Sequence, residues 1–210
     1  MPLTAGQQGR GKTTQGSSGS ANASPALEWL WKHLRDTPHP QVLDCGPVWQ
    51  ATVDVLLRRK AKIHVADLIT PALSGDAAYW DRSGKVPVFR AAKFLEQLPA
   101  LPADSLSAIF GWHLLDLLPR DALPELMSRW LAGLEPGGVL FCLLREPYLL
   151  AGAEMMWWLG SLNVLASDRE GRKAFPYPAL SNREMERLAP QASVKTFLTR
   201  SGRREVLVIK

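Results

Sequence analysis

Cysteine is scarce in this 210-residue chain, which holds only Cys45 and Cys142. They form no Cys-x-x-Cys pair and stand in no Cys/His cluster, so the sequence predicts no metal site. Both fall in apolar runs that are typical of buried strands, and we expect inert core thiols in a reducing compartment. The amino terminus also lacks the basic-then-apolar pattern of a secretory signal, which favours a cytoplasmic location.

An uninterrupted apolar run long enough to span a membrane is also missing. Leu149 to Ala166 comes nearest, but Glu154, Asn163 and two glycines interrupt it. No transmembrane segment is therefore predicted, although weak membrane association stays compatible with the sequence. Two interpretations of this segment remain open: it forms a core helix, or it forms an apolar wall of a ligand pocket.

Large apolar side chains are nearly absent from residues 1–23, which are rich in Gly, Ser, Thr and Gln. This composition predicts a disordered tail over residues 1–23 and one domain over residues 24–210. Residues 6–13 match the P-loop spacing Gly-x-x-x-x-Gly-Lys-Thr. A phosphate loop needs a buried strand before it and a helix after it. Neither is predicted here, so we expect no nucleotide binding at this match.

The net charge of +5 is unevenly distributed along the chain. Residues 167–210 hold ten Lys/Arg and five Asp/Glu, whereas residues 1–166 hold fifteen of each. The basic segment could face an anionic substrate, nucleic acid or a lipid surface, or it could form a solvated face. We favour the solvated face.

Apolar periodicity predicts alternating strands and helices from residue 24 onward. Ser24 is a favourable N-cap and Pro25 suits the first helical position, so a helix with an apolar stripe begins there. The predicted strands are 42–43, 63–66, 86–90, a run that ends at Gly111, 139–144, 194–199 and 206–209. The helices between them include 49–60, 121–134 and one that opens with the capping box Ser181-Asn182-Arg183-Glu184.

The stretch Val42-Leu43-Asp44-Cys45-Gly46-Pro47-Val48 is the most informative part of the chain. A short apolar strand ends in an acidic residue and a Gly-Pro turn, and the next predicted strand ends at Asp67. The unit is a βαβ crossover. Ligands of open α/β sheets bind at the carboxyl ends of such strands.

This unit resembles motif I and the following acidic position of class I S-adenosylmethionine-dependent methyltransferases. In that family a hydrophobic strand runs into Asp/Glu-x-Gly-x-Gly-x-Gly. Asp44 and Gly46 fit this pattern, whereas Val48 and Gln50 replace its second and third glycines. Asp67 fits the acid that binds the ribose hydroxyls.

Two later segments match in the right order. Residues 101–119 resemble the fourth-strand region of small-molecule methyltransferases related to quinone-biosynthesis enzymes, with Ser107 in place of the usual acid. Residues 134–144 are similar to the family's helix end, Leu-x-Pro-Gly-Gly turn and buried fifth strand. The family also ends in a β-hairpin like that predicted here. The resemblance implies an α/β, doubly wound (Rossmann-like), seven-stranded sheet, mostly parallel with an antiparallel C-terminal strand, and helices on both faces.

The resemblance further implies S-adenosyl-L-methionine as the cofactor. Nine residues would form its site: Asp44, Gly46, Pro47, Val48, Asp67, Leu68, Phe110, Gly111 and Trp112. The first four would make the loop under its methionine part, Asp67 would bind the ribose, Leu68 would lie against adenine, and the last three would border the sulfonium. Alternatively, Asp44 and Asp67 are strand-end turn residues and Trp112 belongs to the core.

The activity implied is methyl transfer to a small or lipid-like acceptor, with a catalytically inactive binding or scaffold protein of the same fold as the alternative. His113 follows the fourth strand and is a candidate base, although a lone histidine beside Leu114 and Leu115 more often starts a helix or lies in the core. The segment after the fifth strand would then be an acceptor wall, and the basic residues behind it would suit a hydrophobic acceptor with an anionic group. No Asp/Asn-Pro-Pro-aromatic motif follows the fourth strand, which argues against nucleic acid as a partner. The sequence does not predict an oligomeric state.

Overall fold

The computed structural model describes residues 20–146, 156–168, 175–199 and 203–210. Its strands are β1 (Ser20–Ala23), β2 (Gln41–Asp44), β3 (Lys62–Val65), β4 (Trp80–Asp81), β5 (Val88–Phe89), β6 (Leu106–Trp112), β7 (Leu134–Arg145), β8 (Trp157–Ser161), β9 (Val164–Ser167), β10 (Ser193–Leu198) and β11 (Arg203–Ile209). Its α-helices are α1 (Pro25–His33), α2 (Gln50–Arg58), α3 (Ile69–Ser74), α4 (Ala91–Leu95), α5 (Leu114–Leu117), α6 (Leu123–Gly133) and α7 (Asn182–Leu188). Single 3₁₀ turns occupy Ala77–Tyr79 and Arg120–Ala122.

The central sheet has the strand order β10-β11-β7-β6-β2-β3. Strands β2, β3, β6 and β7 are mutually parallel, whereas β11 pairs antiparallel with both β7 and β10. The predicted Rossmann-like sheet with an antiparallel strand near its C-terminal end is therefore confirmed. The described sheet has six strands rather than the predicted seven.

Helices cover both faces of this sheet, as predicted. Phe110 and Gly111 are successive residues of β6, so they face opposite sides of the sheet. The Phe110 ring lies 6.2 Å from Trp31 of α1. A Cβ on Gly111 would lie 2.8 Å from Trp130 of α6, so glycine is required for that helix to pack closely. Helices α1 and α6 therefore lie on opposite faces.

The predicted strand that the main sheet lacks is residues 86–90. Only Val88–Phe89 is extended there, and it pairs with β4 in a separate two-stranded sheet. Pro87 interrupts the run and removes one ladder donor, while Val88 is 59% exposed and adds nothing to the core. The prediction of a third strand of the main sheet at 86–90 was wrong, and β3 is left at one edge.

Helix α1 begins as predicted, but the segment before it was predicted wrongly. The Ser24 hydroxyl accepts a hydrogen bond from the Leu27 amide, and Pro25 occupies the first helical position. Ser20–Ala23, placed in a disordered tail, instead forms β1 and pairs antiparallel with β9. Small side chains bury little, yet their backbone can still complete a ladder. Residues 1–19, with the P-loop match, lie outside the described residues.

One of the two interpretations of the apolar segment after the fifth strand is wrong. Its described part forms the hairpin of β8 and β9, so a core helix there is wrong; residues 149–155 lie outside the described part. Aromatic and β-branched residues favour extended backbone, and Leu162-Asn163 makes the turn. Strand β8 packs on α2, where the Leu159 amide donates to the Thr52 hydroxyl at 3.0 Å.

Smaller expectations from the sequence are confirmed. Gly137 has φ of 82° in the turn inside β7, and Ser181 and Glu184 form the capping box of α7. Cys45 and Cys142 are free and fully buried, and burial raises the pKa of both thiols.

Two further findings concern only the described ranges. None of their helices is both long and apolar enough to cross a membrane. They also contain no group of three or more His, Cys, Asp or Glu that could hold a metal ion.

Candidate functional site

The strand order changes direction between β2 and β6. From β2 the chain crosses to β3 on one side, and it later returns to place β6 on the other side. Ligands of doubly wound sheets bind in the crevice outside the strand ends at such a point. Strand β2 ends at Asp44 and β6 ends at Trp112, so these two residues border the crevice.

Asp44 is the most unusual charged group in this crevice, because it is only 4% exposed. Its Oδ1 accepts hydrogen bonds from the Gly46 amide at 2.9 Å and from Trp112 Nε1 at 2.6 Å. Burial raises the pKa of Asp44 to about 6, against the effect of these hydrogen bonds. A buried carboxylate with a raised pKa in a cleft is typical of functional sites.

Trp112 closes one side of the turn that follows β2. It is 2% exposed and has φ of 48°, a left-handed conformation that is unfavourable for a bulky residue. A Cβ on Gly46 would lie 2.7 Å from Trp112 Nε1, so only glycine allows the indole to reach Asp44. Gly46 is therefore required by packing.

Val48 and Gln50, which stand where the resemblance leads us to expect glycine, do not fill the turn. Val48 is 67% exposed, and its φ is not positive. Gln50 is exposed at the start of α2, where its side chain donates to Asp54 at 2.7 Å. The N-cap of this helix, Trp49, makes no side-chain capping bond. Helix α2 begins directly after this turn, so the amides of its first turn face the crevice side. No side chain caps them among the described residues.

Asp67 lies at the end of β3, beside the same turn. Its two carboxylate oxygens accept hydrogen bonds from the amide and hydroxyl of Thr70, at 2.9 and 2.6 Å. The side chain is half-buried, so both oxygens keep further acceptor capacity. The Ala66 amide donates to the Asp44 carbonyl at 2.9 Å and the Leu68 amide donates to the Cys45 carbonyl at 3.0 Å, which places Asp67 beside this turn. The negative charge of Asp67 also contributes to the raised pKa of Asp44.

The other predicted site residues are distributed unevenly. Pro47 is half-buried in the turn, whereas Leu68 and Phe110 are fully buried and Gly111 packs against α6. The structure therefore brings Asp44, Gly46 and Trp112 together around one carboxylate oxygen, with Asp67 nearby. Leu68 and Phe110 form the layer beneath them.

His113 is buried rather than open to the crevice. It is 1% exposed, and neither ring nitrogen has a hydrogen-bond partner in the described ranges. Burial, together with the positive charge of Arg203, lowers the pKa of His113 to about 3. The imidazole is therefore neutral at physiological pH.

A buried charge cluster beside His113 was missed from the sequence. Asp116 is fully buried, and its Oδ2 accepts a hydrogen bond from the Arg145 amide at 2.9 Å. Burial raises the pKa of Asp116 to about 6, although Arg145, Arg203 and Arg204 oppose the rise. Arg203 and Arg204 are 7% and 3% exposed, so at these two positions the basic segment is not a solvated face.

Comparisons with solved structures support the fold, whereas comparisons with family models and curated sequences give no match. A S-adenosylmethionine-dependent methyltransferase from Mesorhizobium loti aligns over 89% of this chain and 99% of its own, with 16% identity and a TM-score of 0.50. A 1,6-didemethyltoxoflavin-N1-methyltransferase from Burkholderia thailandensis, solved with 1,6-didemethyltoxoflavin and S-adenosylhomocysteine, aligns over 89% and 76%, with 13% identity and a TM-score of 0.49. The chain has the fold of class I S-adenosylmethionine-dependent methyltransferases.

Proposed function

We propose that this protein is a S-adenosylmethionine-dependent methyltransferase and that the crevice between β2 and β6 holds the cofactor. The observation that carries the proposal is the buried Asp44 carboxylate at the point where the strand order reverses. Burying a carboxylate is unfavourable, and a residue with no function at this position could be apolar. Its position, next to a glycine that packing requires, fits motif I of the family.

The polar groups around the crevice suit the parts of this cofactor. Asp67 is half-buried, and its oxygens can accept hydrogen bonds from two neighbouring ribose hydroxyls. The first turn of α2 has no capping side chain among the described residues, and its amides suit the cofactor's carboxylate. Trp112 is itself buried, so it would act through its hydrogen bond to Asp44, holding that carboxylate at the crevice rather than offering a free ring face to the sulfonium.

The remaining residues act in other ways. Gly46, Pro47 and Val48 form the turn, with the Val48 side chain directed to solvent. Leu68, Phe110 and Gly111 support the site from below, because their surfaces are already covered. When bound, the cofactor supplies an activated methyl group, so the protein's main task is to position an acceptor.

We do not assign a base role to His113. Its ring is out of reach of an acceptor in this conformation, and its low pKa makes it a weak proton acceptor. A base is needed only if the acceptor must lose a proton before or during transfer.

Calorimetric titration with S-adenosylhomocysteine tests the proposal directly. The full-length protein should bind, and Asp67→Ala should weaken binding on the order of tenfold, because charge-assisted hydrogen bonds are lost. Asp36→Ala is the matched control, since Asp36 is an exposed carboxylate that forms an ion pair with the exposed Arg35. Its affinity should equal that of the parent.

A thermal melt of each variant shows whether the fold is intact. A folded parent that binds neither S-adenosylmethionine nor S-adenosylhomocysteine would refute the enzyme and leave the inactive binding or scaffold protein. Equal affinity of the parent and Asp67→Ala would remove Asp67 from the site.

A further inference from the structure

A cavity of about 300 Å³ lies at the β7–β11 side of the main sheet. Its described walls are the end of β1, the start of α1, the β8–β9 hairpin, the end of β10 and the paired strands β7 and β11. Most of its walls are apolar, and they include Leu143, Trp157 and Leu165. Among the described lining residues, Arg203 and Glu205 are charged. The volume is at the lower end for small-molecule pockets and corresponds to roughly ten water molecules.

Glu205 is a buried carboxylate with acceptor capacity left over. It is 3% exposed, and its Oε2 accepts hydrogen bonds from the Ser24 hydroxyl at 2.8 Å and the Ala26 amide at 3.0 Å. No donor to Oε1 is found in the described part of the chain. Burial raises the pKa of Glu205, against the effect of its two donors. Such a group is stabilised when a ligand donates a hydrogen bond to it.

Arg203 has a different environment from Glu205. Its guanidinium lies over the Trp157 ring, with 5.0 Å between its Cζ and the ring centroid, and within 6.0 Å of the Phe175 ring. The negative charge of Asp116 also attracts it. Arg203 therefore already has partners in the wall, whereas Glu205 is a charged lining residue with one oxygen still able to accept a hydrogen bond.

Strand β8 connects this cavity to the crevice between β2 and β6. Successive side chains of a strand point to opposite sides. Trp157 lines the cavity, while the ring of Trp158 stacks on Trp49 at 4.5 Å, at the start of α2. One strand thus contacts both the proposed cofactor turn and the cavity.

We propose that this cavity binds the methyl acceptor through Glu205. The acceptor is a small, mainly apolar molecule, about the size of one substituted ring, whose hydroxyl or amino group donates a hydrogen bond to Glu205 Oε1. The identification of the ligand as a methyl acceptor rests on the proposed function. Ligand binding in this cavity can be tested without the cofactor.

The test compares two small probes that differ in one donor. 4-Methylphenol carries a hydroxyl donor, and 4-methylanisole is the same molecule with that donor methylated. Ligand-observed NMR titration of the full-length protein should give at least several-fold tighter binding of 4-methylphenol, because only this probe can satisfy Glu205.

Glu205→Gln is the informative variant, since its shape is almost unchanged. The Ser24 and Ala26 donors will hold the amide oxygen, so the NH₂ group must face the cavity. The cavity then presents a donor in place of an acceptor, and the preference for 4-methylphenol should disappear or reverse. Ala23→Leu narrows the cavity from its rim and should weaken both probes, which locates them there.

The two proposals fail in different ways. No binding of 4-methylphenol, or a preference that survives Glu205→Gln in a folded variant, would overturn the acceptor site even if S-adenosylhomocysteine binds. Donor-dependent binding of 4-methylphenol in a protein that ignores S-adenosylhomocysteine would keep the ligand site and overturn the methyltransferase.

Discussion

Replacing Asp44 with asparagine should make the protein more stable at neutral pH. The carboxylate is buried, and its pKa is raised from 3.8 to about 6, so its ionised form is unfavourable in the folded state. Asparagine has almost the same shape, and its Oδ1 can accept from both the Gly46 amide and Trp112 Nε1. The variant keeps these hydrogen bonds and removes the charge.

The size and the pH dependence follow from the pKa values. The folded protein holds this proton more tightly than the unfolded chain does. The stability contributed by Asp44 is therefore fully present below about pH 4 and is lost as the pH rises through about 6. A shift of about two pH units corresponds to roughly 3 kcal/mol. Asp44→Asn should exceed the parent in unfolding free energy by up to this amount at about pH 7.5, and by roughly 1 kcal/mol at about pH 4.5.

Urea unfolding followed by circular dichroism at both pH values measures this difference. Asp36→Asn is the control, because that exposed side chain should give no comparable change. A variant that is equally or less stable than the parent at both pH values would contradict the argument that Asp44 is held at an energetic cost. We also expect Asp44→Asn to bind S-adenosylhomocysteine more weakly, since stabilising changes at functional sites commonly reduce function.

Two further predictions follow from the turn and from β1. Val48→Gly should leave S-adenosylhomocysteine affinity unchanged or slightly lower, because the valine side chain is exposed and glycine only adds backbone freedom. If calorimetry shows binding to the variant but not to the parent, Val48 closes the site. Deleting residues 1–23 should lower the melting temperature by several degrees, on the order of 1–2 kcal/mol, because β1 and its ladder with β9 are lost. Deleting residues 1–19 should leave it unchanged, and equal melting temperatures for the two deletions would show that β1 contributes nothing.

Most of the fold could be predicted from signals that are local in the sequence. The strand ending at Asp44, the turn around Gly137 and the capping box at Ser181 each depend on a few adjacent residues, and each is present in the structure. The prediction of a strand at 86–90 was wrong although Pro87 already argued against it. Local patterns fix elements, but they do not decide which elements share one sheet.

The missed residues depend on contacts between distant parts of the chain. Arg203 and Glu205 precede an apolar run, and charged residues at a strand start are usually exposed. The register with β7 places Glu205 opposite Leu143, on the face that α1 and the β8–β9 hairpin cover. The strand β1 was missed for the same reason, because its partner β9 lies far along the chain.

The hydrogen bonds of Glu205 also constrain the order in which parts of the chain can fold. Ser24 and Glu205 are separated by 181 positions, and β11 lies between β10 and β7 although it comes after both in the chain. During synthesis from the amino terminus, the start of α1 has to wait for this carboxylate, and the sheet stays open between two strands already made. The cavity beside Glu205 can therefore form only after β11 has left the ribosome.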